Sequence, residues 1–306
     1  MNSDRWSEPA TPLALATRRF HRHPLAIAAL AVLGALAASA VAAPSMANML
    51  GIDVDAVDLI NRFAPPSSEH PLGTDELGRD VLWRLLAGGR ASLLVGVAAA
   101  IASALIGTLV GLVAGYFGGR VDAVLMRVAD GLMALPLLPL LIVLAAIDPA
   151  KLGVPPGVAA SPAAGLLRIV CIVSLVGWTT VARLVRAESL QLREETFVLA
   201  ARAQGAGAGR MVAVHILPNL ASTIIVATTL AAGNIILLES VLSFLGLGIQ
   251  PPTPSWGNLL TNAQELVWSA PALAIWPGLL ILVTVVALNV VGDGLREALD
   301  PRAASG

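Results

Sequence analysis

Residues 91–115 read ASLLVGVAAAIASALIGTLVGLVAG and contain no charged side chain. The hydrocarbon core of a bilayer is about 30 Å thick and needs roughly 20 apolar residues of helix to cross it. This stretch is apolar on every face, without the 3.6-residue stripe of a helix lying on a soluble core. It is also far longer than the roughly 9–11 residues of a membrane barrel strand. It therefore reads as a membrane-spanning helix, and lipid becomes the solvent against which the rest of the chain is judged.

Five further segments of similar length and character follow: Leu25–Ala43, Ala123–Ile147, Leu166–Val185, Leu220–Leu242 and Ala272–Val291. The expectation is an all-α integral membrane protein with six transmembrane helices. Composition agrees. Hydrophobic residues make up 57% of the 306 and charged residues 13%, whereas a soluble domain is roughly a quarter charged. A net charge of -1 excludes a globally basic nucleic-acid footprint, and the single cysteine, Cys171, excludes an intrachain disulfide.

Cations orient the spans. Arg5, Arg18, Arg19 and Arg22 precede the first span, and Arg186, Arg193, Arg202 and Arg210 follow the fourth. The positive-inside rule places both groups, and with them both termini, in the cytoplasm. The stretch Gly246–Pro271 has no Lys or Arg, and Lys151 is the only lysine in the chain. Both of these loops fall outside. Segment 44–90 also falls outside although it holds Arg62, Arg79, Arg84 and Arg90, and its acids do not answer that objection because the rule counts cations. The first span has small-residue triplets, Ala38-Ser39-Ala40 and Val41-Ala42-Ala43, suited to signal cleavage, but it exceeds the roughly 7–15 apolar residues of a signal peptide.

One polar, Ala/Gly-rich insert interrupts this pattern: Phe197–Asn219, FVLAARAQGAGAGRMVAVHILPN. Glu194 to Gln204 has good helix formers, Gly205, Gly207 and Gly209 permit a sharp reversal, and Pro218 is expected to stop a second short helix. The unit should lie along the membrane surface and present small side chains to another protein. On spacing alone, an ordinary amphipathic interfacial hairpin reads equally well.

The pattern Ala200-Ala201, Gly205, His215-Ile216-Leu217-Pro218 resembles the "EAA" loop by which permeases of bacterial ABC importers dock onto their ATPases. Leu199 stands where the eponymous glutamate is often found. Four more blocks extend the resemblance over roughly residues 70 to 302: HPLGTDELGRDVLWRLLAGGRASLLVG (His70–Gly96), YFGGRVDAVLMRVAD (Tyr116–Asp130), LESVLSFLGLGIQPPTPSWGNLL (Leu238–Leu260) and VVGDGLREALDPR (Val290–Arg302). Together they look like the second, or "C", permease of the dipeptide/oligopeptide/nickel ABC-importer family. The fold implied is a binding-protein-dependent (MetI-like) permease core of five helices plus an N-terminal helix. It divides the chain into a cytoplasmic tail 1–24, a first helix 25–43, an external segment 44–90, a core 91–293 with its coupling loop at 187–218, and a cytoplasmic tail 294–306.

The resemblance implies partners: a homologous second permease, two cytoplasmic ATPases and an external solute-binding protein, assembled in the bacterial inner membrane. The coupling residues carried over are Ala200, Ala201, Gly205, His215, Leu217 and Pro218. The chain's own residues agree with this division of labour. No glycine-rich turn ends in Gly-Lys-Ser/Thr, no HExxH pair occurs among His21, His23, His70 and His215, and no G-x-S-x-G elbow is present. No catalytic residue, cofactor or metal site is expected.

Within the spans, Ser103, Gly107, Gly111 and Gly115 form a small-residue face suited to close helix crossing, either inside this chain or against the companion permease. Arg127 and Asp130, three apart, are placed to pair along one helix face. Glu239 is the candidate residue of the translocation path, because an acid within a span is a functional candidate by default. Counted at about 1.5 Å per residue from Asn219, it lies roughly 30 Å along the helix, where a satisfied helix-end acid is the competing reading. The run Gln250–Trp256, with three prolines, should form a stiff outer loop that meets the binding protein. The mechanism implied is alternating access driven by ATP binding. Peptides are the preferred substrates, with nickel or another small solute as the alternative. A secondary transporter or a membrane-embedded enzyme is a further rival, but neither midplane charges with internal repeats nor an acid/base constellation is evident.

Overall fold

The protein is described by a computed structural model covering residues 12–159 and 161–299. Arg5 of the N-terminal tail and the terminal Asp300–Arg302 lie outside the described residues. Nine helices position everything that follows: α1 (Pro12–Phe20), α2 (Pro24–Met49), α3 (Val81–Phe117), α4 (Gly119–Ala134), α5 (Leu137–Ala146), α6 (Pro162–Arg193), α7 (Thr196–Ala203), α8 (Ala221–Phe244) and α9 (Ala272–Leu299). Short helical turns fill several of the connections, and among the described residues the only strand-like pairing is an isolated bridge between Thr74 and Asp80.

Four helices, α2, α3, α6 and α9, are long and apolar enough to cross a membrane, and α8 becomes a fifth together with the turns that lead into it from Ala208. The sixth expected span, Ala123–Ile147, is not one helix. It is broken into α4 and α5, which meet at 90°. The cause is local: Pro136 disfavours helical backbone at the residue before it, and Leu135 and Pro136 are both extended. At about 1.5 Å per residue, α4 spans about 24 Å and α5 about 15 Å, so neither crosses the hydrocarbon alone.

Helix α3 is the central post. Its 37 residues run about 55 Å, well beyond the bilayer core, so residues 81–90 are its first turns. Asp80 caps it by accepting the Trp83 N–H at 3.1 Å. Its Ser103/Gly107/Gly111/Gly115 face lies directly on α6 of the same chain, in contact with Trp178, Val181, Ala182, Val185 and Ser189. Of the two readings of that stripe, the in-chain crossing is the one observed. Val95, Ala99, Leu141, Ile169, Val173, Ile235 and Leu242 close a core among α3, α5, α6 and α8. Helix α2 stands at the edge and turns small residues, Ala26, Ala29, Ala40, Ala43 and Ala47, inward.

Ahead of α3, residues 50–80 fold into a compact cap. Asp75 accepts the Leu77 and Arg79 N–H groups and pairs with the Arg79 guanidinium at 2.7 Å. Thr74 ties two strands of the loop, donating to Asn61 O and accepting from Ala64 N. Arg84 is buried and pairs with Asp55 at 2.9 Å, and Arg62 lies over the Phe63 ring. Of the four arginines of segment 44–90, Arg79 and Arg84 are thus held inside folded structure, whereas Arg62 and Arg90 are exposed.

Asp130 does not pair with Arg127. Its partner is Arg183 of α6, and Asp122 forms a bidentate pair with Arg186 of the same helix. A guanidinium from a neighbouring helix satisfies both oxygens of a carboxylate better than a side chain one turn away on the same helix.

Candidate functional site

Two helical pieces make the insert a built surface. Helix α7 begins one residue after α6 has ended and Glu194 has closed it, with Glu195 extended ahead of its first turn. Its Val198 is wholly buried in a cluster with Leu112, Tyr116, Val181, Val185, Met211, Ile216 and Leu220. The helix therefore hangs on the ends of α3, α6 and α8 by one deep apolar side chain, while its other faces stay open.

Gly205 closes α7 in the left-handed conformation, φ +85°. The Ala206 N–H reaches back to Ala201 O and the Gly205 N–H to Arg202 O, the pattern by which a glycine beyond a helix satisfies its last carbonyls. After this reversal the chain does not stop at Pro218 as its sequence suggested. Ala208–Arg210, a π turn Met211–Ile216 and a 3-10 turn Leu217–Leu220 run without interruption into α8. The Leu217 N–H bonds Val212 O, five residues back. Pro218 then opens a new turn, lacking only a donor that the change of register leaves without an acceptor.

Of the residues singled out in the insert, Ala200, Gly205, Leu217 and Pro218 are exposed, and Ala201 and His215 are half-buried. The His215 carbonyl accepts from the Asn219 amide at 2.6 Å. Exposed beside them are Phe197, Leu199 and Val214, which pattern matching passed over. A helical wheel centred on inward Val198 would have found the first two, because their side chains project to either side of it. Leu199, in the place of a glutamate, adds to an apolar surface. The unit is braced as well as buried: Arg193 donates to Tyr116 O, and Arg202 lies 5.8 Å from the Tyr116 ring centre.

At the opposite end of the bundle, Glu239 is wholly buried and lines none of the four principal cavities among the described residues. The Ser243 hydroxyl donates to its carboxylate at 2.7 Å, the Ser240 hydroxyl approaches it at 3.5 Å, and Ser92 and Ser255 are its other polar neighbours. Three of those serines each accept a backbone N–H from the following loop: Ile249 to Ser243 at 3.0 Å, Trp256 to Ser92 at 3.1 Å and Asn258 to Ser255 at 3.1 Å. One carboxylate therefore organises, through serine relays, the loop 249–258 on α3 and α8. Trp256 completes the joint, its indole N–H on Leu85 O and its ring against Gly89. The competing helix-end reading had the depth of this acid; its serine partners from other elements were not readable.

Beside this joint lies a polar cavity of about 340 Å³ between the cap and the 258–266 segment, lined by Glu76, Arg79, Arg84, Gln250 and Asn262. Burial, then the charge of Asp75, pushes the Glu76 carboxyl above its ordinary range, against the opposing pull of Arg79, Arg84 and Asn262.

The sequence that builds this bundle and its surface unit is similar to known proteins. The family model described as "Binding-protein-dependent transport system inner membrane component" matches residues 107–305. The chain belongs to this permease family. A second model, "N-terminal TM domain of oligopeptide transport permease C", matches residues 11–66. Among similar proteins, the oligopeptide transport system permease protein OppC of Bacillus subtilis is 37% identical over 284 residues, 93% of this chain and 88% of that protein. The OppC protein of Escherichia coli K12 is 39% identical over 287 residues, 94% and 90% of the two chains. The dipeptide transport system permease protein DppC of Alkalihalophilus pseudofirmus is 37% identical over 292 residues, 95% and 90%. The permease is thus a multi-pass inner-membrane protein of the kind the blocks of sequence indicated, and the family match from residue 107 onward takes in the whole insert.

Proposed function

We propose that this permease is one of two that form the path of an ATP-driven importer of peptides, and that its insert is the surface on which a cytoplasmic ATPase docks. The observation that carries the reading is α7: anchored by Val198 and braced at Tyr116, it offers Phe197, Leu199 and Ala200 outward, with Leu217 of the following turn also exposed. Such an apolar patch on a polar unit is the form of a protein contact. Both termini and the insert lie in the cytoplasm, and the loop 249–258 faces the binding protein outside. Peptide as substrate draws support from the relatives, whose names are oligopeptide and dipeptide permeases. Covalent chemistry has no place in this chain; ATP is hydrolysed by its partners.

The test is reconstitution in liposomes. The purified permease alone should hydrolyse no ATP, and hydrolysis with peptide uptake should appear when the second permease, two ATPases and the binding protein encoded beside it are restored. A complete complex that hydrolyses ATP and moves no peptide would overturn the peptide assignment in favour of nickel or another small solute.

A further inference from the structure

Within the bundle, a cavity of about 480 Å³ opens between the broken pair α4–α5 and the helices α6 and α8. Thr180 of α6 and Asn234 of α8 both line it, and both are exposed. Thr180 lies thirteen residues before Arg193, and Asn234 thirteen residues after Ala221, so each is about 20 Å from the end of its helix nearest the insert. The two helices bring their polar side chains to one cavity within the membrane-spanning part of the bundle, Thr180 about one turn from the ion-paired Arg183. Neither side chain hydrogen-bonds another described residue.

The opposite wall is the helix break. Leu135 and Leu137 line the same cavity, and the Leu135 carbonyl has lost its helical donor, because residue 139 is a proline without an N–H. Backbone freed from a helix at membrane depth is tolerated only where it is buried in protein or lines a water-filled cavity. An amide side chain turned to lipid is disfavoured for the same reason. Leu135, Thr180 and Asn234 line this one cavity, with no charged side chain among the lining residues. Such a surface matches the donors and acceptors of a peptide main chain while remaining indifferent to the charge of its side chains.

We propose that this cavity, and not Glu239, is where the permease contacts its transported solute, with Asn234, Thr180 and the Leu135 carbonyl meeting main-chain amide groups. The identity of the solute rests on the peptide reading above; the placement of the contact does not.

The test uses the full importer with Cys171→Ser as background and single cysteines at Asn234, Thr180 and Leu105, the last exposed on α3 among apolar neighbours. A water-soluble thiol reagent should modify N234C and T180C at least tenfold faster than L105C, and excess peptide with binding protein and ATP should slow the first two. Equal rates at all three positions overturn the proposal. Protection by a different solute but not by peptide upholds the cavity and overturns only the peptide reading. Asn234→Leu should keep the second permease bound while uptake falls at least fivefold, with Asn234→Gln partly restoring it. Loss of the second permease from the N234L complex, with N234C unreactive, would instead make Asn234 a helix-helix contact and overturn the proposal.

Discussion

The glycine stripe of α3 allows a sharp test of the packing. A Cβ added at Gly107 would lie 2.6 Å from Trp178 O, 2.7 Å from Val181 Cβ and 2.9 Å from Ala182 N; at Gly111 it would lie 2.6 Å from Ala182 O and 2.8 Å from Val185 Cβ. Contacts between carbon atoms settle at about 3.5–4.0 Å. Two of the three neighbours at Gly107 are backbone atoms that cannot rotate away, so α3 and α6 must separate by on the order of 1 Å. Overpacking of this kind costs about 1–3 kcal/mol, and the better helix propensity of alanine returns up to about 1 kcal/mol. Gly107→Ala should therefore destabilise by about 1–2 kcal/mol. Gly107→Ala/Gly111→Ala should cost more than either but less than their sum, because one displacement relieves both clashes. Gly131→Ala in α4 is the control, since an added Cβ there meets nothing within 4 Å; it should be neutral or stabilising. The assay is thermal unfolding of the purified chain in detergent. If G107A proves as stable as G131A but loses the second permease on purification, the stripe faces a partner and the α3–α6 crossing described here is wrong.

Two other expectations follow from the two ends of the bundle. Gly205→Leu, at φ +85°, should insert at parental abundance but lose transport and substrate-stimulated ATP hydrolysis together, because a branched side chain strains the turn and holds the ATPase off; normal transport at equal abundance would refute the docking surface. In a Cys171→Ser background, a cysteine at 207 should react with an impermeant reagent only from the cytoplasm and one at Pro252 only from outside, and the reverse pattern would invert the topology. Pro252 is the better outer probe because Ser255, at the centre of that loop, is wholly buried.

The sequence was most legible where one residue's environment is set by its own segment. Apolar character on all faces needs no partner to interpret, and so five spans were readable directly. The break in the sixth was encoded in Pro136 and Pro139, but averaging hydropathy along the segment hides a bend that two extended residues produce. Asp130 was misassigned because spacing rules compare residues on one helix, whereas its partner Arg183 lies on another. Pro218 looked like a stop because a proline is judged against an α-helical register, and the π turn before it had changed that register. Glu239 could be placed by counting along its helix, yet the serines that hold it come from α3, α8 and a loop over 160 positions apart in the chain. The exposed faces of Phe197, Leu199 and Val214 depended on which side Val198 would turn inward, a choice made by tertiary packing.

The location of the break has a mechanical meaning once both of its flanks are considered. Asp122 and Asp130 bind α4 to Arg186 and Arg183, in the half of α6 that also receives Val198 and the insert. Leu141 and Ala145 bury α5 on the other side of the break, and Leu141 joins Ile169 and Val173 in the half of α6 nearer the Glu239 joint. A displacement of the insert thus pulls α4 through charged pairs, while α5 is held by close-packed apolar contacts to the far end. Helices resist bending because every turn is hydrogen-bonded, so the strain between these two anchors concentrates in Leu135 and Pro136, which lie outside both helices. Hinges are commonly built from a few such residues at element ends. Leu135 also borders the cavity that holds Thr180 and Asn234. A movement applied at the insert is therefore delivered, about 20 Å away, to the wall of that cavity, the coupling that an importer driven from its cytoplasmic face requires.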